Sequence, residues 1–230
     1  DIIFLTECRK EIAGELASQK YGTVNYEPVI MEKRRGWEGM AVVSRFLESE
    51  YSITRDLSWP GEPIKSGSRY DARELVRVEA PLGVGKVALY GGHIIHPHHP
   101  HHPQYSMTRP KQWRYLRDRL INEPLPFGWL ADTNTLFRRS VYAGIEPNRS
   151  GAVLLPHSGD GNQRTWRPKG PITNMLRSVF DIDIPDILNL DRAAVSKDLA
   201  DKSKLITLPT VINGFKNPSD HRAILLTIES

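Results

Sequence analysis

The chain has 230 residues, 39% of them hydrophobic and 25% charged, with a net charge of +4. That length makes one large domain or two small ones and buries roughly 70% of the unfolded surface, so no disulfide or structural metal is needed. The composition excludes a disordered chain and a collagen-like fibre, no apolar run approaches the ~20 residues of a membrane-spanning helix, and the mild basic excess admits a phosphate-bearing partner without describing a DNA-coating protein.

In chain order, the first apolar run is Ile2–Thr6, which reads as a strand. Glu11–Gln19 reads as a helix. Strands are then expected at Met40–Val43, Leu75–Val78 and Val87–Tyr90. A better-defined helix is expected from Thr108 to about Asn122: Thr108 can cap it, Pro110 suits its first turn, and Trp113, Leu116 and Leu120 share one face. Further strands are expected at Trp129–Ala131, Ala193–Val195 and Ile224–Ile228. Strands mixed with helices and no internal repeat point to an α/β domain. Gly144–Pro171, rich in Gly, Pro, Ser and Asn, reads as a long functional loop. Cys8 is the single cysteine, and no basic segment with an apolar core opens the stretch, which together favour a cytoplasmic setting.

Six of the eight histidines fall between His93 and His102. Imidazoles at that density bind transition metals. Pro97, Pro100 and Pro103 oppose a helix that would align them, so an exposed, pH-sensitive loop is the favoured reading. Lys33-Arg34-Arg35 with Trp37 reads as a solvated basic turn, and Arg109, Lys111, Arg114, Arg117 and Arg119 as the wet face of their helix. Cys8 reads as a packed thiol rather than a nucleophile.

The chemistry-bearing residues stand at strand ends. Glu7 closes the first strand, Asp132 and Asn134 come after Trp129-Leu-Ala, Asp191 precedes Arg-Ala-Ala-Val, and Asp220 and His221 precede the last strand. Taken singly, each is an ordinary turn residue. Taken together, carboxylates at strand ends gather at one rim of a sheet, where hard oxygen ligands can hold Mg²⁺.

These blocks, in this order, resemble the endonuclease/exonuclease/phosphatase (DNase I-like) superfamily. Ile2–Glu7 resembles its strand ending in Gln-Glu, Gly39–Arg45 its Gly-x-Ala-Ile-x-Ser-Arg strand, and Val87–His93 its strand ending in Thr-His. Trp129–Asn134 resembles its Gly-Asp-x-Asn signature. Thr165-Trp166 and Leu190–Ser196 resemble its Thr-Trp and Ile-Asp elements, and Ser219-Asp220-His221 its Ser-Asp-His close. Thr6 stands where the family has Gln, Ala131 where it has Gly, and the family's opening strand with its Asn ligand has no counterpart here.

The resemblance implies a four-layer α/β sandwich of two packed sheets flanked by helices, formed by residues 1–230 as a single domain. It implies a Mg²⁺-dependent (Mn²⁺ possible) phosphodiester hydrolase, endonuclease-like, with nucleic acid favoured as substrate. Glu7 and Asp220 would hold the metal. Asp132 would accept or orient the proton of water, Asn134 would donate to phosphate or position Asp132, His221 would pair with Asp191, and His93 would donate to phosphate. Two alternatives stand beside it: a phosphatase or phospholipase acting on a lipid or sugar-phosphate head group, and a degenerate phosphate-binding protein.

Overall fold

The computed structural model describes residues 2–19, 22–32, 36–56, 58–61, 75–83, 85–95, 105–133, 150–158, 191–207, 211–212, 215–216 and 224–229. In chain order the elements are β1 (Ile2–Arg9), α1 (Lys10–Ser18), β2 (Thr23–Glu32), β3 (Gly36–Ser44), β4 (Ser52–Asp56), β5 (Leu75–Leu82), β6 (Gly85–His93) and α2 (Tyr105–Ile121). They continue with β7 (Phe127–Asp132), β8 (Ala152–Leu154), β9 (His157–Ser158), β10 (Asp191–Ser196), α3 (Lys197–Ala200), β11 (Ser203–Thr207), β12 (Val211–Ile212), β13 (Phe215–Lys216) and β14 (Ile224–Ile228).

Every expected strand is present, and most extend beyond the apolar run that announces them. The central sheet has the order β4-β5-β6-β7-β10-β8. Its middle strands are buried on both faces, and β6 is buried without a break from Val87 to His93. Alternate residues therefore serve two different cores. Ala88 and Tyr90 of β6, Phe127 and Trp129 of β7 and Ala194 of β10 pack with Trp113, Leu116 and Leu120 of α2. The opposite face presents Val87, Leu89, Ala193 and Val195 to Ile2 and Phe4 of β1 and to Ile224, Leu226 and Ile228 of β14.

That second core lies between sheets. β1-β3-β2 forms one three-stranded sheet and β14-β11-β9 another. Met40 and Val42 of β3 pack on Val76, Val78 and Ala80 of β5. On the far side of β1 and β3, Ala13 of α1 closes a small cluster with Cys8 and Ala41. Helix, sheet, sheet, helix: these are the four layers expected. Among the described residues β1 pairs only with β3, and β14 only with β11.

Gly91 marks the closest approach of the layers. A Cβ there would meet the Phe4 ring at 2.2 Å, so β1 can cross β6 only over a bare backbone. Gly91→Ala is expected to destabilise the fold by about 1–3 kcal/mol, the usual cost of overpacking a filled core. Urea unfolding checks this, and an unchanged midpoint would refute the crossing.

Two expectations are corrected. Helix α2 starts at Tyr105, so Thr108 is buried inside it rather than capping it, and Pro110 also lies inside. Pro110 lacks the N–H that would reach the Ser106 carbonyl, and Ser106 sits at the exposed first turn, where that loss is small. The loop expected over Gly144–Pro171 contains β8 and β9, because β8 pairs with β10 and β9 with β11. Residues 144–149 and 159–171 of that loop, Lys33–Arg35 and His96–His102 lie outside the described residues.

Candidate active site

Strand register places three of the expected site residues in one row. β6 and β7 run parallel with His93 opposite Asp132. β7 and β10 run antiparallel with Asp132 opposite Asp191. The three therefore sit side by side at one end of three adjacent strands. Their parity matches Leu89, Leu130 and Ala193, so all three belong to the sheet face turned toward β1 and β14.

Each is nearly closed from water: His93 is 7% exposed, Asp132 9% and Asp191 9%. The reading of His93 as a solvated loop residue is thus excluded. Its Nδ1 lies 3.7 Å from Oδ2 of Asp132. Two carboxylates directly opposite on neighbouring strands have Cβ atoms about 4.5–5.5 Å apart and repel one another. Buried carboxylates so placed call for cationic company, and oxygen donors of this kind suit hard divalent ions.

Glu7 lies three residues beyond Phe4, and His93 two residues beyond Gly91, the pair that defines the β1–β6 crossing. The β1–β3 register slips by one residue between Leu5 and Cys8. The bulge therefore brackets Thr6 and Glu7, and bulges are common beside active sites. The side chain of Glu7 and the whole of Asn134, Asp220 and His221 lie outside the described residues. Among the described residues no three His, Cys, Asp or Glu side chains converge on one metal position. Cys8 is buried, and desolvation pushes its thiol up, consistent with a packed, unreactive group.

Three residues near the row stand apart from the sequence expectations. Arg109, expected on the wet face, is half-buried: its Nη1 donates to the Ile95 carbonyl at 2.7 Å, and its guanidinium lies 5.9 Å from the Trp113 ring centre. Burial pushes this guanidinium down to about 10, while attraction to Asp132 acts the other way. The signal is in the spacing, since Arg109, Trp113, Leu116 and Leu120 fall at i, i+4, i+7 and i+11 on the buried stripe. Gln112 is buried beside it. Lys111 and Arg114 are exposed as expected, Arg117 turns to Asp118, and Arg119 bridges Asp56 and Tyr115.

His157 is the third. It is buried, with Nδ1 2.8 Å from Thr207 Oγ1 and Nε2 3.0 Å from the Asp191 carbonyl. A carbonyl only accepts, so Nε2 carries the proton in this arrangement. The imidazole thereby ties the start of β10 to β11 of the facing sheet.

No family model and no curated protein matches the sequence. Solved structures do match. An endonuclease/exonuclease/phosphatase family protein from Leptotrichia buccalis superposes with a TM-score of 0.66 at 16% identity, over 100% of this chain and 87% of that one. The chain has the DNase I-like fold. Two further DNase I-like structures were solved with nucleic acid. The 3′ phosphatase NExo from Neisseria, bound to a product DNA hairpin, matches with a TM-score of 0.64 and 14% identity, over 100% of this chain and 89% of that one. TDP2 from D. rerio, complexed with a single strand DNA product, matches with a TM-score of 0.60 and 17% identity, over 100% and 86%. Among the described residues no helix is long and apolar enough to cross a membrane.

Proposed function

We propose that this chain is a divalent-metal-dependent phosphoesterase, a single domain over residues 1–230, that hydrolyses phosphodiesters of nucleic acid in the manner of an endonuclease. The observation that carries the reading is the buried row of His93, Asp132 and Asp191 at one sheet rim. A phosphodiester resists hydrolysis because its anionic oxygens repel the attacking water, so a catalyst must offset charge and aim that water. Glu7 and Asp220 are assigned to hold Mg²⁺ or Mn²⁺, which would supply the offsetting charge. Asp132 receives or orients the proton of the attacking water, with Asn134 two residues further along the chain. His93 donates to a phosphate oxygen, and His221, paired with Asp191, donates to another.

Nucleic acid is favoured because the Neisseria and D. rerio neighbours hold DNA products, and because the chain carries a net charge of +4. The Neisseria neighbour is described as a 3′ phosphatase, which supports a second reading in which a terminal monoester is removed.

The deciding experiment is hydrolysis of bis(4-nitrophenyl) phosphate with Mg²⁺ or Mn²⁺, then with excess chelator, alongside DNA-binding titrations at several salt concentrations. Hydrolysis is expected to vanish on chelation and return with added metal. The DNA affinity is expected to fall with salt at a slope equivalent to roughly three or more phosphates. Activity that survives chelation would remove the metal from the mechanism. A shallow slope would shift the substrate to a small phosphate monoester or head group.

A further inference from the structure

His93 stands at the last position of β6, and the chain just beyond it stays buried at Ile94 and Ile95. The backbone groups of these two residues are bound at defined points. The Ile94 N–H donates to the Asp132 carbonyl at 2.8 Å, extending the β6–β7 register one step past His93. The Ile95 N–H donates to Gln112 Oε1 at 2.8 Å, and the Ile95 carbonyl accepts from Arg109 Nη1 at 2.7 Å. Gln112 is held in turn, because its Nε2 donates to the Pro60 carbonyl at 2.8 Å. Both backbone groups of the residue two beyond His93 are therefore gripped by side chains three residues apart on one helix.

This grip is costly where it stands. Arg109 occupies a position of the helical stripe that otherwise carries Trp113, Leu116 and Leu120, and desolvating a guanidinium there opposes folding unless it is paired. An apolar residue would pack that stripe at lower cost. What an apolar residue lacks is the bond to Ile95 and a positive charge attracted to Asp132.

We propose that Arg109 and Gln112 are positioning residues that fix the backbone after β6 and so hold His93 against Asp132 for reaction. The assignment rests on the phosphoesterase reading. Neither residue is assigned contact with substrate; both act through His93 and Asp132.

A double-mutant cycle tests it, using the whole chain and bis(4-nitrophenyl) phosphate. Arg109→Met and Gln112→Leu are each expected to lower kcat about tenfold or more with little change in KM, since small misplacements of reacting groups cost rate rather than binding. Arg109→Lys, which keeps charge and a donor, is expected to recover part of that loss. In a His93→Ala background the same substitutions are expected to cost much less, because the group they position is gone. Equal losses in both backgrounds, or a rise in KM alone, would overturn the proposal.

If Arg109→Met fails to fold, Gln112→Leu carries the cycle alone. If the unmodified protein hydrolyses no phosphoester, the functional reading falls, and amide hydrogen exchange decides whether the grip exists. Faster exchange at Ile94 and Ile95 in Gln112→Leu, with β5 unchanged, would support it. Unchanged protection there would overturn it.

Discussion

Asp132→Asn is expected to lower turnover of a model phosphodiester by at least ~10²-fold while leaving the thermal midpoint nearly unchanged. The substitution keeps the shape of the side chain and removes its charge and its capacity to accept a proton. Asp132 is central in the row: His93 is its partner on one side, Asp191 on the other, and its carbonyl receives the Ile94 N–H. His221→Ala, at the residue assigned to pair with Asp191, is expected to lose a similar factor. Full activity in both variants, with normal folding, would dismiss the proposed site. The same variants separate an enzyme from a degenerate phosphate binder. Such a binder would keep its affinity for DNA in Asp132→Asn and show no turnover to lose.

Most strands legible in the sequence are buried on both faces, while β1 and β14, only partly buried, show themselves as apolar runs. β3, β6, β7 and β10 carry runs of apolar residues because each is sandwiched between layers, and such runs stand out without any periodicity, while β5 is found by its Val and Ala alternating with Arg77 and Glu79. β2, β4 and β11 are harder to see, because they alternate apolar residues with Asn, Glu, Arg or Lys. β2 and β4 lie at the edges of their sheets, and β11 pairs with β9 over only two residues, which leaves part of the described face of each open to water. The same logic governs the site. His93, Asp132 and Asp191 are recognisable because a polar group at the end of an apolar strand is a visible break. Arg109 is easily misread because a charged residue on a helix is ordinarily solvated, and only its spacing to Trp113 betrays the buried stripe. His157 gives no local signal at all: its partners are 34 and 50 residues away, and only the docking of two sheets brings them together.

The largest stability effect is expected at Glu123, far from the row. Its carboxylate comes just after α2 and is received by β5 and β6: Arg77 Nε and Nη2 donate to its two oxygens at 2.8 and 2.9 Å, and the Leu125 amide donates at 3.2 Å. The Tyr90 hydroxyl donates to it as well. The Glu123 side chain is 3% exposed, whereas that of Arg77 keeps 22%. Burial alone would push this carboxyl up, but the bonds from Arg77, Tyr90 and Leu125 outweigh it and hold the group below the usual range. Burial and the same carboxylate push the Tyr90 phenol up. Glu123→Ala leaves the Tyr90 hydroxyl without its acceptor and the Arg77 cation with Glu79 alone, 3.3 Å from Nη1, at a cost of roughly 3 kcal/mol, the lower end for a broken buried pair because Arg77 keeps that partner and contact with water. Glu123→Gln keeps the shape, removes the charge and turns one of the two acceptor oxygens into a donor, as protonation of the carboxyl also does. A carboxyl depressed in the folded state contributes stability that is complete above its unfolded value of about 4.3 and disappears as pH falls through the folded value. The urea midpoints of the parent and Glu123→Gln should therefore differ by a constant amount at neutral pH and converge in acid below about pH 4. Glu229→Ala, which removes a partner of Lys204 in an exposed pair, should leave the midpoint where it was. Parallel pH curves for the parent and Glu123→Gln would show that the charge of Glu123 contributes nothing to holding α2 against the sheet.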